Sequence, residues 1–171
     1  LKHSIYNMAV SLKHAFEELK EKQKELEELA FYDPLTGLPN RRFFFDHASL
    51  ILESVKRYRT PLTLLLMDLD HFKNVNDTYG HEAGDLLLKN FTEVLRKNSR
   101  KSDLPARLGG EEFALLMPNT DLQQGRVVAE RIRQCFQNSV IVYRGMEVRT
   151  TLSGGLAPFV PEVEEIDDLM R

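Results

Sequence analysis

The rhythm of apolar and polar positions changes several times along this chain. In the first thirty residues Ile5, Met8, Leu12, Ala15, Leu19, Leu26 and Leu29 recur at alternating three- and four-residue steps, with Lys22 as one polar interruption. That is a heptad seam. Residues 17–28 are almost entirely Glu, Lys, Gln and Leu, a strong helix-forming composition, so a helix is predicted over 2–30. It reads either as one solvated helix packed on its own domain or as half of a parallel two-stranded coil. Residues 61–66 form a continuous apolar run whose length suits a strand buried on both faces, so a strand is predicted over 61–69. Leu87, Leu88, Phe91, Val94 and Leu95 then return to helical spacing, giving a helix around 82–98 with one apolar face.

Between these runs the punctuation supplies the other elements. Asp33-Pro34 and Pro39-Asn40 mark turns, and Asn40 is placed to N-cap a helix from 41 to about 58. A short helix follows residue 71. Strands are predicted over 104–108 and 113–117, a helix over 121–137, and a hairpin pairing 140–143 with 147–157 about Arg144-Gly145. The result is an α/β (α+β) chain with five strands.

Composition sets bounds. A length of 171 residues suits a segment 1–30 followed by one domain over 31–171, and 42% hydrophobic residues are enough for a core. The net charge of −3 argues against binding a nucleic-acid polymer, which needs a basic face. The single cysteine, Cys135, has no internal partner; it is expected in the core of a helix in a reducing compartment. No apolar run is long enough to span a bilayer and no secretion signal is visible. The chain starts without an initiator Met, so membrane segments upstream stay open.

Chemistry concentrates at two acidic corners. Gly109-Gly110-Glu111-Glu112-Phe113 lies between two predicted strands, where the glycines allow a sharp turn and two carboxylates stand at the sheet's lip. Alone, it is equally a plain hairpin with an acidic shoulder. Upstream, Asp68 and Asp70 end the apolar strand and, two apart, point the same way. If that strand lies beside the hairpin, Asp68 and Glu111 converge, and a hard cation such as magnesium relieves the repulsion, with the Leu69 carbonyl as a further oxygen. His71-Phe72-Lys73 turns into the short helix, whose free N–H groups and positive end suit an anion, with Lys73 adding charge. Asn76 and Asp85 carry the donors and acceptors to read a guanine edge, although each alone also reads as a turn residue or a first-turn acid.

Taken together, Asp33-Pro34-Leu35-Thr36-Gly37-Leu38-Pro39-Asn40-Arg41-Arg42, Asp68-Leu69-Asp70-His71-Phe72-Lys73, Asn76-Asp77, Gly80-His81, Gly84-Asp85 and Gly109-Gly110-Glu111-Glu112-Phe113 resemble the diguanylate cyclases, the GGDEF domain family, in its GGEEF variant. The resemblance runs in order from about residue 33 to residue 155. It implies a central, mostly antiparallel five-stranded sheet flanked by helices, similar to the adenylyl cyclase and polymerase-palm core. It implies condensation of two GTP into cyclic di-GMP with release of two pyrophosphates. Carried over, Asp68, the Leu69 carbonyl and Glu111 hold magnesium, with manganese as a substitute, and Glu111 accepts the proton of the attacking 3′-hydroxyl. His71, Phe72 and Lys73 contact the phosphates, Lys73 stabilises transition-state charge, and Asn76, His81 and Asp85 take the guanine and ribose, with Gly109 and Gly110 lining the substrate.

The resemblance also implies a product-inhibition site at Arg100-Lys101-Ser102-Asp103, with five residues between Asp103 and Gly109, and with Arg131 as a second arginine. Partners implied are GTP, cyclic di-GMP and a second copy of the chain, joined through the N-terminal helix or bridged by product. The first twelve residues look like the end of a HAMP-type signalling helix. Together these imply a cytoplasmic protein or the cytosolic part of an inner-membrane sensor. The family's usual last helix and its basic residues are expected to be missing beyond Asp167, which would weaken turnover; a cyclic di-GMP-binding module of the same fold is the alternative.

Overall fold

The computed structural model describes residues 2–171, with side chains from residue 4 onward; Leu1 lies outside the described residues. Helix α1 (Lys2–Phe31) is continuous. Its seam residues Ile5, Met8, Leu12, Leu19, Leu26 and Leu29 are 62–71% exposed, so the seam does not pack on its own domain.

A tight loop joins α1 to helix α2 (Arg41–Tyr58). Tyr32 bridges to Pro39, the Asp33 N–H donates to the Leu38 carbonyl at 2.8 Å, and Leu38 is driven into the core. Asn40 serves both helices. Its Oδ1 accepts from the Phe43 N–H at 3.0 Å as the N-cap of α2, and its Nδ2 donates to the Ala30 carbonyl at the end of α1, also at 3.0 Å. Each bond satisfies a backbone group that a helix end leaves unpaired. Phe43 adds aromatic contact with Phe31 and Tyr32. Phe44, Ala48, Leu52 and Val55 are then buried at helical spacing.

Strand β1 (Leu62–Leu69) is buried almost throughout. Helices α3 (Phe72–Tyr79) and α4 (His81–Asn98) lead to the hairpin of β2 (Leu104–Gly109) and β3 (Glu112–Pro118). Helix α5 (Leu122–Gln137) starts at a capping box between Asp121 and Gln124. Strands β4 (Ile141–Tyr143), β5 (Met146–Val148) and β6 (Leu152–Pro158) follow, then the short helix α6 (Ile166–Met170).

The main sheet has the order β2-β3-β1-β6, every pair antiparallel. Alternation along β1 and β3 builds two cores. Leu65, Met67, Leu69, Phe113 and Leu115 face α4 and α5, where Phe91 meets Phe113 and Phe136 edge-on at 4.7 and 4.9 Å. Leu62, Leu64, Ala114 and Leu116 face α2 and α6.

Two expectations need correction. The main sheet has four strands, because 147–157 is not one strand: β5 pairs with β4 in a separate hairpin, turned at Arg144 and Gly145 with positive φ, while β6 joins β1. The break falls at residues 149–151, where Thr150 and Thr151 bond to Asp70 instead of continuing a ladder. Cys135 is exposed, not in the core; α5 buries Gly125, Val128, Ile132 and Phe136.

Asn40→Ala is expected to lower unfolding stability by about 1–2 kcal/mol, since a cap and a second helix end both lose a partner. Asn40→Asp keeps the acceptor for Phe43 but not the donor to Ala30, so its loss in urea unfolding should be about half as large. Equal losses for the two variants would contradict the two-helix role.

Candidate functional site

The signature turn is held from below by one arginine. Gly110 and Glu111 form the two-residue loop between β2 and β3, with Gly109 paired to Glu112 and Gly110 at φ +41°. Gly109 itself is not at positive φ, so one glycine makes the turn. Arg107 donates from Nε and Nη2 to the Gly110 carbonyl at 2.9 and 2.7 Å. Its Nη1 lies 3.1 and 3.0 Å from the two carboxylate oxygens of Asp33. Asp33 Oδ2 also accepts from the Thr36 N–H and hydroxyl at 2.8 and 2.6 Å. Burial opposes the charge on Asp33, but the bonds from Thr36 and Arg107 outweigh it and hold its carboxyl below the usual range. Neither Asp33 nor Arg107 stood out in the sequence as a partner of the other; they are 74 positions apart.

Above that support the acids crowd together. The Leu69 N–H donates to the Glu111 carbonyl at 3.3 Å, and Asp68 lies directly opposite Glu112 in the β1–β3 ladder. Desolvation first, then repulsion from Glu111, Glu112 and Asp70, pushes the Asp68 carboxyl above its usual value. Asp68 and Glu112 line an open cleft of about 500 Å³ together with Arg41, Ser153, Gly154 and Met170. Arg41 figured in the sequence only within the block from Asp33 to Arg42, with no role at this cleft, and Ser153 did not stand out, because each comes from an element distant in the chain from Asp68. Unrelieved like charge beside a free backbone carbonyl fits a divalent cation. Among the described residues no group of three or more His, Cys, Asp or Glu side chains is placed to hold a metal ion. Asp70 behaves differently: hydroxyls of Ser153 and Thr151 bond its carboxylate and keep its pKa low.

The turn out of β1 leads to the next group. His71 sits at φ +55° before α3, with no side-chain cap, so the first amides of α3 beside Lys73 lack capping. His71 and Lys73 are exposed and Phe72 is half-buried. Asn76, on α3, faces the start of α4, where His81 and Asp85 lie one turn apart on one face. Asn76 Oδ1 is buried without a partner and presses on Gly84, where a Cβ would come within 2.0 Å of it. Gly84 is therefore a packing requirement: any side chain there would displace Asn76.

Comparison with known proteins decides the family. The profile described as "Diguanylate cyclase, GGDEF domain" matches residues 30–171. The chain belongs to that family. It is 35% identical over 151 residues to diguanylate cyclase A of Treponema denticola, covering 86% of this chain and 40% of that protein. It is 39% identical over 146 residues to the response regulator PleD of Caulobacter vibrioides, covering 84% and 32%. It thus spans less than half the length of these curated relatives. Among solved structures, the coiled coil and GGDEF domain of DgcB from Caulobacter crescentus in complex with c-di-GMP superposes with a TM-score of 0.87 at 27% identity, covering 98% of this chain and 88% of that one.

In this GGDEF domain Arg100, Asp103 and Arg131 gather near the end of α4. Asp103 Oδ2 accepts from the Arg100 N–H at 2.7 Å, and Asp103 Oδ1 is buried without a partner. Arg131, from α5, donates to the Asn98 side chain and carbonyl at 2.8 and 3.0 Å, capping α4 two residues before Arg100. The Arg100 side chain is exposed. No helix of the described residues is long and apolar enough to cross a membrane.

Arg107→Ala should cost about 2 kcal/mol, because the Asp33 carboxylate and the Gly110 carbonyl both lose a charged donor. The Asp33 carboxyl is held down in the folded state, so its stabilisation is complete above about pH 4 and is lost as acid takes the pH below that. Acid unfolding of Arg107→Ala should therefore show a weaker dependence over that window. An unchanged acid limb would contradict the pair's role.

Proposed function

We propose that this chain is the catalytic domain of a diguanylate cyclase that condenses two GTP into cyclic di-GMP and two pyrophosphates. The observation that carries this reading is the crowding of Asp68 with Glu111 across the Leu69–Glu111 backbone bond, one turn from the uncapped start of α3 and Lys73. Acids that suit a cation and amides that suit a phosphate thus lie at one end of the two central strands. Phosphoryl transfer relies mainly on positioning and charge neutralisation, which such groups supply.

In this mechanism Asp68, the Leu69 carbonyl and Glu111 would hold magnesium, or manganese in its place. The cation, when bound, offsets phosphate charge and lowers the pKa of the attacking hydroxyl. Amides at His71 to Lys73 cradle the phosphates, with the Lys73 ammonium meeting charge that grows on the leaving pyrophosphate. Asn76 and Asp85 read the guanine, and His81 closes the base and ribose end. Gly109 and Gly110 let the backbone approach the substrate without a side chain between. Glu111 accepts the proton from the 3′-hydroxyl of the GTP held by a second copy. That oxygen then bonds to the α-phosphorus, the bond to pyrophosphate breaks, and the reciprocal step closes the ring.

Each domain holds one nucleotide, so two must face each other. The exposed heptad seam of α1 supports a homodimeric coiled coil over 1–30 that raises the effective concentration of that encounter for the domain over 31–171. Arg100, Asp103 and Arg131 supply an inhibitory site for cyclic di-GMP. The unpaired Asp103 oxygen is available to a guanine donor, and the free Arg100 guanidinium to a phosphate or guanine. Action on GTP, and a lone reduced cysteine, fit a cytoplasmic location.

The test is incubation of the protein with GTP and magnesium, followed by detection of cyclic di-GMP. Glu111→Gln is expected to lower kcat by about 10²–10⁴-fold while cyclic di-GMP still binds through Arg100. Absence of product from the intact parent protein would end the cyclase reading, and near-normal turnover by Glu111→Gln would end the assignment of metal ligand and base.

A further inference from the structure

Every polar atom of Asp70 is engaged by residues 150–153. Its N–H donates to the Thr151 carbonyl at 3.0 Å, and its carbonyl accepts from the Thr150 hydroxyl. Its Oδ2 accepts from the Thr151 hydroxyl at 2.5 Å and its Oδ1 from the Ser153 hydroxyl at 2.6 Å. The β1–β6 ladder pairs Asp68 with Ser153 and Leu69 with Leu152, so Asp70 stands opposite Thr151 and diagonal to Ser153. Ser153 therefore lies across from Asp68 yet donates its hydrogen bond to Asp70. The residue after this clamp, His71, holds the left-handed conformation that a non-glycine residue adopts only when its surroundings impose it. From there α3 begins, with its uncapped amides and Lys73.

We propose that Asp70, gripped by Thr151 and Ser153, is a positioning residue that sets the phosphate-binding turn on the sheet and stays outside the cation's ligand set. Both of its carboxylate oxygens are held by charge-assisted hydroxyl bonds, which are short and directional. Asp68, on the same face and two residues earlier, has no such partners and remains open to a cation. The clamp thus divides the work of two aspartates that the sequence presents as alike. It also explains why the chain leaves β5 and re-enters the main sheet at Leu152. The proposal rests on the reading of this edge as a GTP site.

Thr151→Val with Ser153→Ala removes both hydroxyls and leaves every residue assigned to cation, phosphate or base unchanged. With magnesium and a non-hydrolysable GTP analogue, this double variant is expected to bind about tenfold more weakly, the scale set by a small misplacement of a binding group. Amides 71–75 should exchange with deuterium faster in the double variant and in Asp70→Asn. Thr151→Ser, which keeps its hydroxyl, should restore both readouts, and manganese affinity measured directly should be unchanged in the double variant.

Two results would overturn the clamp. In the first, Asp70→Asn abolishes manganese binding while the double variant behaves as wild type; Asp70 would then be a ligand. In the second, melting temperature falls but neither analogue affinity nor local exchange changes; the bonds would then serve the fold alone. If the wild-type protein binds no GTP analogue, the cyclase reading fails instead, and the exchange of amides 71–75 still decides whether the clamp exists.

Discussion

The Arg107 guanidinium is the joint on which this structure turns. One face of it meets the Asp33 carboxylate and another meets the Gly110 carbonyl, so the entry loop and the signature turn share a single planar group. Lysine could not replace it, since an ammonium cannot span two acceptors in fixed directions. The side chains of both partners are largely shielded from solvent, 13% and 18% exposed, which strengthens the pair but makes it intolerant of losing either member. Arg96 repeats the arrangement from α4 by donating to the Thr36 and Gly37 carbonyls. The loop leaving α1 is therefore fixed to β2 and α4 before it reaches α2.

That rigidity matters because the site it supports is electrostatically unfavourable alone. Asp68 already carries a raised pKa from desolvation and from three neighbouring carboxylates. Such crowding costs free energy in the absence of a cation and persists only where the rest of the fold over-determines it. The sheet does so with a full ladder on each side of β1, and with Phe113 and Met67 buried directly beneath the turn. Packing thus holds charge in place until a counter-charge arrives.

Sequence reading carried some of this further than the rest. Apolar pattern located β1 and α4, and turn and cap residues located α2 and α5, each within a residue or two; Asn40 was legible as a cap because a polar residue before a helical period has few other uses. That the two acidic corners come together was legible from residue types and strand order, and the Leu69–Glu111 bond joins them. What stayed hidden depended on long-range pairing. That Asp70 belongs to β6 and Asp68 to the cleft follows from register across more than eighty positions, which identical residue types at two-residue spacing cannot reveal. The same holds for residues 147–157, which read as one strand because Glu147 to Val148 and Leu152 to Pro158 have similar patterns. Only the hydroxyls of Thr150 and Thr151 on Asp70 split them. Cys135 failed for a smaller reason: at the edge of an amphipathic stripe, one step along a helix decides between core and solvent, and Ile132 and Phe136 take the inner positions.

A mechanical consequence follows from how α1 is attached. Its seam is bare along its whole length, yet its last turn is bonded to Asn40 and meets Phe43 edge-on through Phe31. Any rotation that a partner helix imposes on the seam must reach the entry loop through those contacts, since nothing else in the described residues grips the upper part of α1. The loop cannot absorb it by bending, because Arg107 and Arg96 tie it to the sheet and to α4. In the dimer proposed above, a change of register in the coil would move the domain as a body relative to its partner and leave the internal geometry of Asp68 and Glu111 intact. Control would then act on the encounter of the two domains, with the acids of each already assembled.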